Sequence, residues 1–130
     1  MVGRGLHKLA LTGLLMFHAI AWNGVEARQA EVSFNGATVA LNALPAQGVE
    51  TYQLIRQGGP FPFEKDGVVF GNRERQLPRA KRGYYREYTV KTPGSRDRGA
   101  RRMVCGGPAK TPDACYYTAD HYASFRKIVP

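Results

Sequence analysis

The amino-acid sequence predicts an α+β fold in which one main α-helix packs on an antiparallel β-sheet. Three observations carry that expectation. One stretch alone, opening at Pro45 and closing at Gly58-Gly59-Pro60, repeats its apolar residues at helical spacing. Beyond it the chain falls into short segments of high β-propensity, separated by turn residues at the spacing of a meander. The 130 residues hold no internal repeat, no low-complexity tract and no second domain.

The first 27 residues stand apart. Arg4 and Lys8 precede an apolar run, Leu9 to Trp22, and Val25-Glu26-Ala27 offers small or apolar residues where a signal peptidase reads. Residues 1–27 are therefore expected to be a secretory signal peptide, with Ala19-Ile20-Ala21 as a second cleavage site. The apolar run is shorter than the roughly 20 residues that span a bilayer, so no stable membrane anchor is expected. The single domain then runs over residues 28–130, secreted to the periplasm or the medium. Losing Arg4, Lys8 and Glu26 takes 19 basic and 10 acidic side chains to 17 and 9, and the net charge from +9 to +8. That charge favours polyanions such as nucleic acid, acidic polysaccharide or an anionic membrane.

Each element has a local cause. Arg28 to Gly36 reads as a loosely held arm, and Ala37 to Leu41 as a short first strand. Pro45 takes the first helical position, where its missing N–H costs nothing. Val49, Tyr52 and Ile55 then share a face, which Leu54 widens. Gly58 permits a left-handed cap and Pro60 prevents continuation, giving a helix of about 12 residues. Phe61-Pro62-Phe63 and Asp66-Gly67 are turn chemistry. Val68 to Phe70, Tyr84 to Thr92, Arg101 to Cys105, Tyr116 to Thr118 and Ser124 to Val129 read as strands, with a polar, basic, turn-rich stretch from Arg73 to Gly83. Cys105 and Cys115 have one intramolecular pairing in an oxidising compartment; two buried thiols are the alternative. No zinc-like spacing is present, and His121 is the only histidine after residue 27.

Alternation places the polar residues. Tyr85, Glu87 and Thr89 share one face of their strand, and Tyr84, Arg86, Tyr88 and Val90 the other. Met103 and Cys105 read as core, with Tyr88 and Val90 packed there too. Given the right register, Glu87 and Arg102 then face each other on the open side. Four arginines follow the Pro93-Gly94 turn: Arg96, Arg98, Arg101 and Arg102.

A carboxylate and an imidazole are a base and acid pair for neutral pH. Nearby arginines would favour the ionised Glu87 and would grip two oxygens of a phosphodiester through their fork geometry. They would also carry transition-state charge, so neither metal nor cofactor is called for. Cleavage without a metal or a covalent enzyme intermediate needs an internal nucleophile, which the RNA 2′-OH supplies and DNA lacks. Phe70-Gly71-Asn72-Arg73-Glu74 is the candidate base pocket. Its backbone N–H groups can donate to purine O6, and Glu74 can accept from guanine N1–H and N2–H. Phe70 or the Arg73 guanidinium can stack on the ring.

These residues resemble the small secreted microbial guanyl-specific ribonucleases, the barnase-like family, and look closest to its short Streptomyces-type members. The similarity runs from about Ala43 to Ile128 in separate, correctly ordered blocks. They include Gly59-Pro60-Phe61-Pro62-Phe63, Asp66-Gly67-Val68-Val69-Phe70, Asn72-Arg73-Glu74, Glu87-Tyr88-Thr89-Val90, Arg98-Gly99 with Arg101-Arg102, and Asp120-His121-Tyr122. The resemblance implies Glu87 as general base and His121 as general acid, with Arg98, Arg102 and Tyr122 at the phosphate. Phe70, Asn72, Arg73 and Glu74 match its guanine-recognition segment. It implies RNA as substrate, action as a monomer, and inhibition by an acidic barstar-like protein, which the +8 charge suits. The chain departs from the pattern in three places. Gly71 replaces a glutamine. Ala40 stands where an end-to-end disulfide would begin, so a Cys105–Cys115 bridge would staple a late hairpin instead. The loop Gly106 to Ala114, on the approach to His121, is slightly longer. The competing class is a cationic secreted protein that binds RNA or a membrane without turnover, in which Glu87 and His121 have no evident use.

Overall fold

The computed structural model describes residues 34–130 and, apart from them, Gly3. The signal-peptide reading of residues 1–27 and the arm before Phe34 lie outside the described residues. One helix packs on a six-stranded sheet, as expected. The strands are β1 (Ala37–Ala40), β2 (Val68–Val69), β3 (Tyr85–Thr89), β4 (Arg102–Gly106), β5 (Ala114–Thr118) and β6 (Arg126–Val129), and the helix is α1 (Ala46–Gln57). Their order across the sheet is β1-β6-β5-β4-β3-β2. All pairs are antiparallel except β1 with β6, which are parallel. Among the described residues no helix is long and apolar enough to cross a membrane.

Helix α1 starts one residue later than proline chemistry alone indicates. Pro45 has ψ 148°, which leaves it extended at the cap, while its carbonyl accepts the N–H groups of Gly48 and Val49. At the other end Gly58 adopts φ 86°, and Gly58 and Gly59 donate to the carbonyls of Ile55 and Leu54. These paired bonds close the orphan carbonyls in a Schellman motif. The buried face is Gly48, Thr51, Tyr52 and Ile55, whereas Val49 and Leu54 lie at its margin. Gly48 is buried because Leu44 packs over it: a Cβ there would sit 3.2 Å from the Leu44 Cβ. Thr51 joins the face by donating its hydroxyl to the carbonyls of Gln47 and Thr89, which ties the helix to the end of β3.

The sheet is covered on both faces. On the helix side, Tyr88, Val90, Met103, Cys105, Cys115 and Tyr117 pack with Tyr52, Ile55, Val39 and Ile128. Cys105 and Cys115 are a directly opposed pair of β4 and β5, and they form the disulfide. The opposite face is not fully open. Tyr85, Val104 and Tyr116 there gather Leu77 and Phe125 from the connecting loops, with Phe34, Phe70 and Tyr122 at the edge. Phe34 meets Tyr116 edge-on at 5.1 Å, so the end of the expected loose arm is pinned by an aromatic contact.

The register corrects one pairing. Glu87 lies opposite Val104, and Arg102 opposite Thr89, so Glu87 and Arg102 share a face but sit on adjacent rungs. Across three strands the rungs read Thr89–Arg102–Thr118 and Glu87–Val104–Tyr116. This face is therefore polar at one end and apolar at the other. The 106–114 loop leaves from the apolar end, whereas the N–H of His121 bonds to Ala100 before the start of β4. The 106–114 loop thus lies at the far end of the hairpin from His121.

Replacing both Cys105 and Cys115 by Ser should lower unfolding free energy by about 2–3 kcal/mol, the chain-entropy value for so short a loop. The arrangement around Glu87 should persist at low temperature, because the bridge lies on the helix face and Glu87 on the other. Denaturant melts compared with and without reductant check the first statement, and a crystal structure of the folded variant checks the second.

Candidate active site

Glu87 sits mid-strand on β3, partly shielded, with its side chain 13% exposed. Its Oε2 accepts the Tyr122 hydroxyl at 2.7 Å. Its Oε1 accepts a long bond, 3.4 Å, from Nη2 of Arg98, the one ion pair among the described residues. Arg98 is itself oriented from behind, since its Nε donates to the Thr89 hydroxyl at 2.9 Å. A third anchor fixes the strand end: the N–H of Thr89 donates to Asp66, whose other oxygen accepts the N–H of Phe63.

Arg102 is placed differently. Its residue is 3% exposed. Nη1 donates to the carbonyls of Arg98, Gly99 and Arg101, so this side chain holds the loop that carries Arg98. Its Nε is buried with no partner among the described residues, and its guanidinium carbon lies 6.0 Å from the Tyr122 ring centroid.

The loop after β5 presents His121 and Tyr122. Both take left-handed backbone conformations, φ 53° and 71°, which are uncommon for residues with a Cβ and need support. Thr118 and Asp120 provide it. The Thr118 hydroxyl donates to Asp120 and accepts the N–H of Tyr122; Asp120 also accepts the N–H and hydroxyl of Ser124. Bonds from Ser124 and Thr118 hold the Asp120 carboxyl down at about 2. His121 is exposed, with its ring 4.9 Å from that of Tyr122. Burial, then the hydrogen bond to Glu87, pushes the Tyr122 hydroxyl up to about 12, so it stays a proton donor to that carboxylate.

The 70–74 segment opens beside Glu87 as a cavity of about 330 Å³, walled by Phe70, Gly71, Asn72, Arg73, Glu74, Glu87 and Tyr122. Phe70 stacks on Tyr122 at 5.3 Å. Asn72 turns inward: its amide donates to the Leu77 carbonyl and accepts the Leu77 N–H. It therefore shapes the turn, which it enters at φ 47°. Arg73 and Glu74 are exposed at the mouth. Gly71 has no positive φ, and a Cβ built there would meet the flexible Arg73 side chain at 3.5 Å, so the turn does not require glycine.

A ribonuclease family model matches residues 27–129. The chain belongs to the ribonuclease family. Its relatives are guanyl-specific members. Guanyl-specific ribonuclease Sa3 of Kitasatospora aureofaciens is 57% identical over 90 residues, covering 69% of this chain and 62% of that one. The chain thus spans less than two thirds of that relative's length. Guanyl-specific ribonuclease Sa of the same organism is 53% identical over 91 residues, covering 70% of this chain and 92% of the relative. Ribonuclease Sa2, solved in complexes with mononucleotides, superposes with TM-score 0.68 at 49% identity, over 73% of this chain and 95% of that one. Its complex with guanosine-2'-cyclophosphate gives 0.67 at 48%, over 73% and 97%.

The protein is thus an enzyme of the ribonuclease family. Tyr122 is the hub through which Glu87, Arg102, His121 and Phe70 come together. Several supporting residues were not singled out from the sequence. Gln76 donates to the Tyr122 carbonyl, Phe125 walls the pocket, and Thr89 and Asp66 orient Arg98 and β3. Alternation had put Thr89 on the Glu87 face, and Asp66 lay in a visible Asp-Gly turn. Nothing local marked Gln76, whose partner is 46 residues away.

The Asp120 cap implies an acid-sensitive loop. An unfolded Asp binds its proton near about 3.9, and the folded one only near about 2. The unfolded state therefore gains protons first, and stability falls as pH drops through that window. Asp120→Asn should remove this part of the acid dependence and lower stability at neutral pH. Denaturation midpoints measured between about pH 6 and pH 2 check both.

Proposed function

We propose that this protein is a secreted, metal-independent endoribonuclease that cuts single-stranded RNA 3′ to guanosine. One observation carries the reading: the Glu87 carboxylate lines the 70–74 pocket while its oxygens take Tyr122 and Arg98. A base seated in that pocket brings its own ribose and 3′-phosphate to this carboxylate and this cation.

Glu87 removes the 2′-OH proton, and the 2′ oxygen attacks the adjacent phosphorus. His121 protonates the departing 5′ oxygen, leaving a 2′,3′-cyclic phosphate. Water then opens the ring to the 3′-phosphate with the two roles reversed. Arg98 faces the phosphate directly and Arg102 keeps its loop and charge in place, so developing negative charge meets cations that need no rearrangement. Tyr122 hands its hydroxyl from Glu87 to the phosphate as substrate enters. Glu74 selects guanine by accepting its N1–H and N2–H, backbone N–H groups of the turn meet O6, and Phe70 and Arg73 flank the ring. The relatives support the guanine preference through their names and through the guanosine-2'-cyclophosphate complex of ribonuclease Sa2. Secretion is supported by the leader-like residues 1–27 and by the disulfide. Monomeric action and an acidic barstar-like inhibitor belong to the same proposal.

The chain from Arg28 onward, incubated with guanylyl dinucleotides in excess EDTA, should yield the cyclic phosphate and then the 3′-phosphate. Absence of both from folded protein would overturn the reading. Glu87→Ala and His121→Ala should each lower turnover by roughly 100-fold or more, as expected for general acid–base groups. Glu74→Ala should instead flatten the preference for guanosine over adenosine; an unchanged ratio of kcat/KM for the two would remove Glu74 from base recognition.

A further inference from the structure

A second, larger cavity of about 490 Å³ adjoins the first across a wall formed by Gln76 and Phe125, which line both. Its floor is apolar, with Leu77 and Phe125 buried. Its rim carries the partly buried ring of Phe34 and the exposed Arg75 and Arg79. Among the described residues no acidic side chain lines it. The chain passes from one cavity to the other between Glu74 and Arg75, where Arg75 takes φ 55° and its N–H is held by the Asn72 carbonyl at 3.0 Å. Arg75 is thus set at the boundary by a supported left-handed turn rather than left as a free surface charge.

An aromatic ring, an apolar floor and two guanidinium groups are the chemistry of a single-stranded nucleotide site: a base stacks and a phosphate is paired. Position decides which nucleotide. None of Glu87, Arg98, Arg102, His121 or Tyr122 lines this groove, so it lies away from the scissile phosphate and the departing 3′ nucleotide. We propose that the groove binds the nucleotide on the 5′ side of guanosine, its base on Phe34 and the Leu77–Phe125 floor and its phosphate at Arg75 and Arg79. This rests on the guanosine reading of the neighbouring pocket. It makes the enzyme prefer guanosines inside a strand to those at a 5′ end.

The test compares GpC with ApGpC, and their uncleavable forms with 2′-deoxyguanosine. The 5′ adenosine should raise kcat/KM at the GpC bond, and tighten binding of the deoxy form, by roughly tenfold, the effect of one stacked base. The gain should shrink with added salt. Arg75→Asn with Arg79→Ser should remove most of the gain and leave GpC cleavage unchanged; asparagine tolerates the left-handed turn. Lys81→Ser with Arg82→Ser removes the same charge outside the groove and should keep the gain. Equal values for GpC and ApGpC in both cleavage and binding overturn the proposal. So does a gain that appears only on 3′ extension, with GpCpA. A binding gain without any cleavage overturns the ribonuclease reading and leaves the groove standing.

Discussion

The site depends first on the register of β3 against β4. Each strand contributes buried side chains to both faces, so each face must receive its own set. A slip of one residue would send Tyr88 away from Met103 and turn Glu87 beneath the helix, exchanging an apolar contact for a buried carboxylate. The two apolar clusters therefore fix where Glu87 points. They also fix the rung Thr89–Arg102–Thr118 beside it. Thr89 orients Arg98, and Thr118 supports the loop of Tyr122. Side chains from three strands thus converge because hydrophobic packing elsewhere leaves them one arrangement.

The loop from Thr118 to Phe125 adds strain to that frame. Two successive left-handed residues cost free energy on the order of 1–3 kcal/mol each, and the bonds from Thr118, Asp120 and Gln76 offset it. The return is a display: Tyr122 turns inward to Glu87 and Phe70, and His121 turns to solvent. In a chain of net charge +9, the described residues form one ion pair, that of Glu87 with Arg98. The pair is long, and the shorter bond to Glu87 comes from a neutral hydroxyl. It is held in place without being saturated by guanidinium groups.

Much of this was legible in the sequence because the rules are local. Period-two alternation sorted Tyr88, Val90, Met103 and Cys105 to the core side, and Gly58 marked the helix end within a residue. The 70–74 segment and Glu87 were named as one site, and they line one cavity. What could not be read depends on distant partners. The rung offset between Glu87 and Arg102 follows from strand register, which alternation leaves open. Asn72 turned inward because Leu77 offers both its N–H and its carbonyl, and Gly48 is buried because of Leu44. The parallel pairing of β1 with β6 joins residues nearly the whole described chain apart. The second apolar face was read as open because Leu77 and Phe125 come from loops whose period carries no signal.

The two ends of the described chain bear on the site through one residue. No end-to-end disulfide holds them; the bridge lies within the β4–β5 hairpin. Four parallel pairs join β1 to β6, and opposed Val39 and Ile128 anchor that ladder in the helix-side core. A backbone ladder is reversible, so local opening should be easiest there. Strand β6 begins immediately after Phe125, which walls both cavities. Fraying of β6 would therefore loosen the shared wall before it disturbed Glu87, whose strand lies three places away across the sheet. Both cavities are coupled to the chain ends through Phe125. Glu87 and Arg98 are carried by β3 and the β3–β4 connection, on the side of the bridged hairpin away from β6, which pairs with its β5 strand.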